Sequence, residues 1–342
     1  MNNLQGFQQF DYNNLKKPWF KRPFIYLPLI IIVLASVGYI GLNYKLVKVF
    51  TFGRSNHDLI SKEAAEKYPM PKPEDERFDV LILGIRGEND LENGGLLTDS
   101  IEVLSIDKIT QKASLIAIPR DLYIDMGGVR GKINEAYVVG LEKNQGIALV
   151  SEIISRMTGV YIDKTVVLDF KAFQEIVDNL GGIDIHLTKE FKETTQWGYE
   201  FSLQIGDNHL NGEQALYYVR SRYSTNDFDR ARRQQEVMFA IKKKATSLGV
   251  LANPIKITDL YSSLKRNIKT DFQVWDISSL INVANVFSNS KSLKTYVIST
   301  ENLVVEAHGT KNEYILLPKD EKFEEIKDFF MDILVDSQPV KK

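Results

Sequence analysis

The chain of 342 residues carries 43 Lys and Arg against 45 Asp and Glu, a formal charge of −2 that offers no basic surplus for nucleic acid. With 44% hydrophobic and 26% charged residues it can bury a core, which excludes disorder for the bulk of the chain. Cys is absent and His57, His186, His209 and His308 are scattered, which excludes disulfides, thiolate chemistry and a histidine-built zinc site.

Residues 1–22 read as a disordered cytoplasmic tail that ends in the basic cluster Lys16, Lys17, Lys21 and Arg22. From Pro23 to Tyr44 no residue is charged. At about 1.5 Å per residue this run crosses a hydrocarbon core of about 30 Å, so 23–44 predicts a transmembrane helix. Tyr26, Tyr39 and Tyr44 suit the membrane interface. The basic flank predicts a cytoplasmic N-terminus and an extracytoplasmic domain, although Lys45, Lys48 and Arg54 follow the span. A cleavable signal peptide fits less well, because the apolar run exceeds an h-region of about 7–15 residues and no small-residue cleavage site follows. Residues 45–76 form a linker stiffened by Pro69, Pro71 and Pro73, and one domain spans 77–335 before a tail at 336–342.

Within that domain, Phe78–Gly84, Ile101–Ile106 and Ala113–Ile118 are short apolar runs that predict adjacent strands buried on both faces. Gly146–Met157 predicts a helix, Thr165–Leu168 a strand, Phe170–Asn179 a helix and Ile183–Leu187 a strand. Further helices are expected at 212–222, 228–247, 272–286 and 322–334, with strands near 294–298 and 314–317. The alternation predicts an α/β fold, a mixed central sheet sandwiched by helices.

Several common motifs fail. Gly127-Gly-Val-Arg-Gly-Lys-Ile133 is no phosphate loop, since Met126 and Ile133 stand where that motif needs Gly and Ser or Thr. No G-x-S-x-G, G-x-G-x-x-G or H-E-x-x-H is present. Arginines stand out instead: Arg220, Arg222, Arg230, Arg232 and Arg233 fall within 14 residues. One reading is a solvated helix face with i,i+3 and i,i+4 ion pairs. The other is a set of converging guanidiniums, which suit a polyanion and above all a pyrophosphate. Arg120 and Asp121 follow the third strand, at the carboxyl end where open α/β sheets bind ligands, or form a structural salt bridge there. Lys132 is a second phosphate donor or a surface lysine. Asp99, just before a buried strand, either satisfies loop amides or supplies an oxygen to Mg²⁺ held partly by phosphate.

Leu97-Thr-Asp-Ser100, Ser114-Leu-Ile-Ala-Ile-Pro-Arg-Asp121, Lys132-Ile-Asn-Glu-Ala-Tyr137, Asp178-Asn-Leu-Gly-Gly-Ile-Asp184, Leu210-Asn-Gly-Glu-Gln-Ala-Leu216, Tyr218-Val-Arg-Ser-Arg222 and Asp227-Phe-Asp-Arg-Ala-Arg-Arg-Gln-Gln235 occur in that order. Together they resemble the LytR–CpsA–Psr family over residues 78–334. That family comprises bacterial membrane-anchored enzymes that move glycopolymers from a polyprenyl-pyrophosphate carrier onto peptidoglycan. The resemblance implies that Arg120, Arg220, Arg222, Arg230 and Arg233 surround a pyrophosphate and that Asp99 helps hold Mg²⁺. It also implies an apolar tunnel for the lipid, for which Phe170, Phe173, Ile176 and Val177 are candidates; ordinary core packing is the other reading of each. One departure is Gly84-Ile-Arg86, where the family carries Gly-x-Asp. Either Asp90 or Glu92 then replaces the missing carboxylate, or Arg86 binds phosphate and the metal relies on Asp99. A second is Asp229, where many members have Gly.

These readings make Arg120, Asp121, Arg220 and Arg222 the catalytic candidates. Arg86, Lys132, Arg230 and Arg233 are the phosphate-binding candidates, and Asp99 and Asp90 the metal ligands. The expected partners are a polyprenyl-pyrophosphate-linked glycan, a peptidoglycan acceptor and the cell membrane, without nucleic acid. A competing reading is a non-catalytic membrane-tethered binder of polyprenyl phosphate lipids or envelope glycans. Trp197 and Tyr199 are expected to stack on sugar rings or to cover the core.

Overall fold

A computed structural model describes residues 61–250, 253, 267–272, 293–320 and 322–334. The expected N-terminal tail, the membrane span expected at 23–44 and, apart from Phe272, the helix expected at 272–286 lie outside the described residues. In chain order the elements are α1 (Lys62–Lys67), β1 (Arg77–Gly84), β2 (Ser100–Asp107), β3 (Ala113–Ala117), β4 (Tyr123–Met126) and β5 (Val129–Lys132). Next come α2 (Ala136–Glu142), α3 (Ile147–Thr158), β6 (Ile162–Leu168), α4 (Phe170–Asn179), β7 (Ile183–Leu187), β8 (Phe191–Glu193), β9 (Phe201–Leu203) and β10 (Gly206–Leu210). The last are α5 (Gly212–Arg220), α6 (Asp227–Ser247), β11 (Ile268–Thr270), β12 (Leu293–Val297), β13 (Val304–His308), β14 (Tyr314–Pro318) and α7 (Glu324–Asp332).

The central sheet runs β11-β6-β1-β2-β3-β12. It is mixed: β1 is antiparallel to β2 and parallel to β6, and β3 is antiparallel to β2 and parallel to β12. Side-chain alternation sends Leu81 and Leu83 of β1, with Ile101 and Val103 of β2, into a core shared with α3 and α7. Val80, Leu104 and Leu115 belong to a separate cluster on the opposite face. There α4, α5 and α6 add a third cluster containing Val177, Leu216 and Val237. The continuous apolar runs of β1 to β3 thus arise because helices cover both faces.

The Gly127-Gly128 segment is the two-residue loop of the β4–β5 hairpin, with φ of 65° and 78° and Met126 opposite Val129. Two positive φ angles suit a hairpin turn, which explains both glycines without any phosphate role. The helices around the site start on side-chain caps. Asp169 accepts from the Ala172 amide at α4, Asn211 and Gln214 form a capping box at α5, and Asn226 accepts from the Asp229 amide at α6.

Candidate functional site

The carboxyl ends of β1, β3 and β6 and the start of β2 meet at one end of the sheet, with Gly84 opposite both Ser100 and Leu168. A Cβ on Gly84 would lie 3.0 Å from that of Ser100, so glycine permits this close turn. The Asp99 amide donates to the Gly84 carbonyl at 2.9 Å, which seats Asp99 beside the strand end. Arg86 follows β1, Arg120 follows β3, Arg220 closes α5, and Arg230 lies in the first turns of α6.

These side chains surround a cleft of about 280 Å³. Arg86, Arg120, Arg220, Arg222 and Arg230 line it, against the carboxyl groups of Asp99, Glu102 and Asp169. Further along the sheet the wall is Ile82, faced by Phe170, Phe173, Leu216, Val219 and Met238. The cleft therefore has a cationic mouth and an apolar interior.

Asp99 anchors the mouth. Its carboxylate accepts from Arg120 Nη1 and from Arg86 Nε at 3.4 Å, and its carbonyl accepts from Arg230 Nη2 at 3.0 Å. Burial works to raise its pKa, but the Arg120, Arg230 and Arg86 charges outweigh it and hold the carboxyl below the usual range. Arg86 Nη1 also stands 3.6 Å from Asp90 Oδ2, so one guanidinium sits between the two acids. Burial alone would lower the Arg120 pKa, yet Asp99, Asp227 and Asp121 raise it.

Arg220 and Arg222 differ, because neither has an ion-pair partner among the described residues. The Arg220 guanidinium lies between two aromatic rings, 4.2 Å from the Phe170 centroid and 4.8 Å from that of Trp197. Its pKa is pushed down by burial and then by the Arg86 charge. Gln196 holds this turn: its Nε2 donates to the Arg220 carbonyl at 3.0 Å and its Oε1 accepts from the Arg222 amide at 2.7 Å.

Other expected residues lie elsewhere. Arg233 does not line the cleft; its guanidinium donates to the Tyr218 and Ser221 carbonyls and to Thr225 Oγ1. Lys132 donates to Asp121 Oδ1 at 2.6 Å, with Arg120 Nε 3.7 Å from the other oxygen. Asp121 and Asp227, both within 3.8 Å of Arg120, line a second groove with Pro119, Phe228, Glu306 and Tyr314. Phe170 and Phe173 face the first cleft, but Val177 is a fully buried core residue and Ile176 lines no part of it. Sequence reasoning missed Asp169, Gln196 and Asp227 at the site. The cap signal could have pointed to Asp169 and Asp227, which stand at helix starts. No local signal marks Gln196, whose partners are 24 and 26 residues away.

The LytR_cpsA_psr family signature matches residues 44–329. The "Polyisoprenyl-teichoic acid--peptidoglycan teichoic acid transferase TagV" of Bacillus subtilis is 26% identical over 317 residues, covering 90% of this chain and 77% of that protein. The TagU transferase of the same organism is 29% identical over 267 residues, 76% of this chain and 82% of TagU. The "Regulatory protein MsrR" of Staphylococcus aureus is 26% identical over 264 residues, 76% of each chain. The crystal structure of B. subtilis TagV superposes with a TM-score of 0.60 at 26% identity, covering 78% of this chain and all of that one.

Proposed function

This chain belongs to the LytR_cpsA_psr family, and from that membership we propose that it transfers a glycopolymer from a polyprenyl-pyrophosphate carrier to a peptidoglycan sugar hydroxyl. The observation that carries this reading is the pairing of five arginines with an apolar interior in one cleft. A pyrophosphate matches the mouth and a polyprenyl chain matches the walls. The two relatives named as teichoic acid–peptidoglycan transferases support it.

In the proposed reaction the acceptor oxygen attacks the glycan-proximal phosphorus. The bond from that phosphorus to the bridging oxygen breaks, and polyprenyl phosphate leaves with the bonding electrons. Arg120, Arg220 and Arg222 stabilise charge on the phosphoryl and leaving oxygens, which makes catalysis mainly electrostatic. The acceptor enters by the second groove, and a carboxylate of the site, Asp121 or Asp99, takes the hydroxyl proton. The domain is proposed to face outward from the cell membrane on one N-terminal span, which reporter fusions at the C-terminus would test.

Asp99 and Asp90 are hard oxygen donors flanking a position that a cationic group, Arg86, already holds, so they fit Mg²⁺ brought in on phosphate oxygens. The ion would share the negative charge of the phosphoryl oxygens. Arg86 and Mg²⁺ would then compete for the same two acids. Arg86→Asp is expected to tighten Mg²⁺ binding to the full chain by about tenfold, read by calorimetry, through the added ligand charge. Unchanged Mg²⁺ affinity would remove Asp90 and Asp99 as its ligands.

The test of function is the full chain incubated with a polyprenyl-pyrophosphate-linked glycan and peptidoglycan. Release of polyprenyl phosphate with glycan joined to peptidoglycan is expected. Binding without release favours the non-catalytic lipid or glycan binder, the reading that the Arg86 guanidinium between Asp90 and Asp99 supports.

A further inference from the structure

Glu102 stands inside β2, opposite Ile82 of β1 and Ala117 of β3. It lines the cleft, yet the residue is 3% exposed and its Oε2 has no hydrogen-bond partner. Three residues from Asp99 at about 3.3 Å each put its backbone about 10 Å along the strand from the arginine mouth. Other buried acids of this fold are compensated. Asp79 accepts from Arg77 Nε at 2.7 Å, and Glu193 accepts from the Ser224 amide at 3.1 Å. Glu102 has no such explanation as a structural residue.

Charged groups facing the cleft are Arg86 after β1, Asp99 before β2, Arg120 after β3, Asp169 before α4, Arg220 in α5 with Arg222 beyond it, and Arg230 in α6. None bonds to Glu102, and burial alone pushes its pKa up to about 8. A neutral carboxyl can sit against hydrocarbon, whereas a carboxylate there without a partner is costly.

We propose that Glu102 is a specificity-determining residue of the cleft interior: the cleft takes an apolar chain only while Glu102 keeps its proton. The proposal rests on reading the cleft as a phosphate mouth with a seat for an apolar chain. Chain binding expels water from around Glu102 and favours its neutral form further, so occupancy and one proton are linked. The affinity for the chain falls as pH rises through the Glu102 value, and the affinity for the phosphate head does not follow it.

The experiment is calorimetry of the full chain held in amphipol, from pH 7 to 9.5, with dodecyl phosphate and with methyl phosphate, which has the same head and no chain. If the neutral fraction sets the apparent affinity, dodecyl phosphate should weaken by about 30-fold across that range in the wild type. In Glu102→Met and Glu102→Gln the decline should vanish, and methyl phosphate should bind all three proteins alike. A wild-type pH slope persisting in Glu102→Met overturns the proposal. So does dodecyl phosphate binding no better than methyl phosphate at any pH. Loss of methyl phosphate binding alone, with the Glu102-dependent slope intact, counts against the arginine mouth and leaves Glu102 standing.

Discussion

Arg220→Ala is expected to lower glycopolymer transfer by about a hundred- to a thousandfold while leaving thermal stability within about 1 kcal/mol of the wild type. In the free protein this guanidinium has aromatic faces but no carboxylate, and burial together with the Arg86 charge disfavours its charged form. A bound pyrophosphate would relieve that repulsion, and deleting the side chain relieves it too. The lost stacking on Phe170 and Trp197 is worth about 0.5–1 kcal/mol per ring at a partly exposed site, and removing a desolvated cation offsets it. Melting curves of the full chain, with and without a polyprenyl phosphate analogue, check the assignment. A large loss of stability in the ligand-free variant, or ligand-induced stabilisation equal to that of the wild type, would sink the phosphate role.

Arg233→Ala is expected to behave in the opposite way and to cost about 3–5 kcal/mol of folding stability, because it strands two buried carbonyls. Arg233 is 7% exposed and donates to Tyr218, Ser221 and Thr225, three groups in the segment that carries Arg220 and Arg222. Its guanidinium also lies 5.1 Å from the Phe191 ring centroid. The planar fork serves several acceptors at once, so Arg233→Lys should restore little of the loss. Chemical denaturation measures it. A cost under about 1 kcal/mol would return Arg233 to the phosphate-binding set.

Family membership, the first three strands of the central sheet and the longer helices were legible in the sequence, whereas the β4–β5 and β8–β9 hairpins, β10, β11, β13 and helix α2 were not. Apolar runs ending at Gly84, Ile106 and Ile118 mark strands covered on both faces, and Asn211 with Gln214 marks a helix start. The division of labour among the charged residues was not legible. Arg230 and Arg233 share a helix face by spacing, yet the first donates to the Asp99 carbonyl and Asp227 while the second is spent on the α5 turn. Alternation along β2 puts Ser100, Glu102 and Leu104 on one face, but it does not say that this face opens into a cleft at Glu102 and closes at Leu104. Sequence periodicity determines which way a side chain points. What stands opposite it is decided by segments far away in the chain, such as Gln196 and Trp197 beside Arg220, and only the packed tertiary structure brings them together.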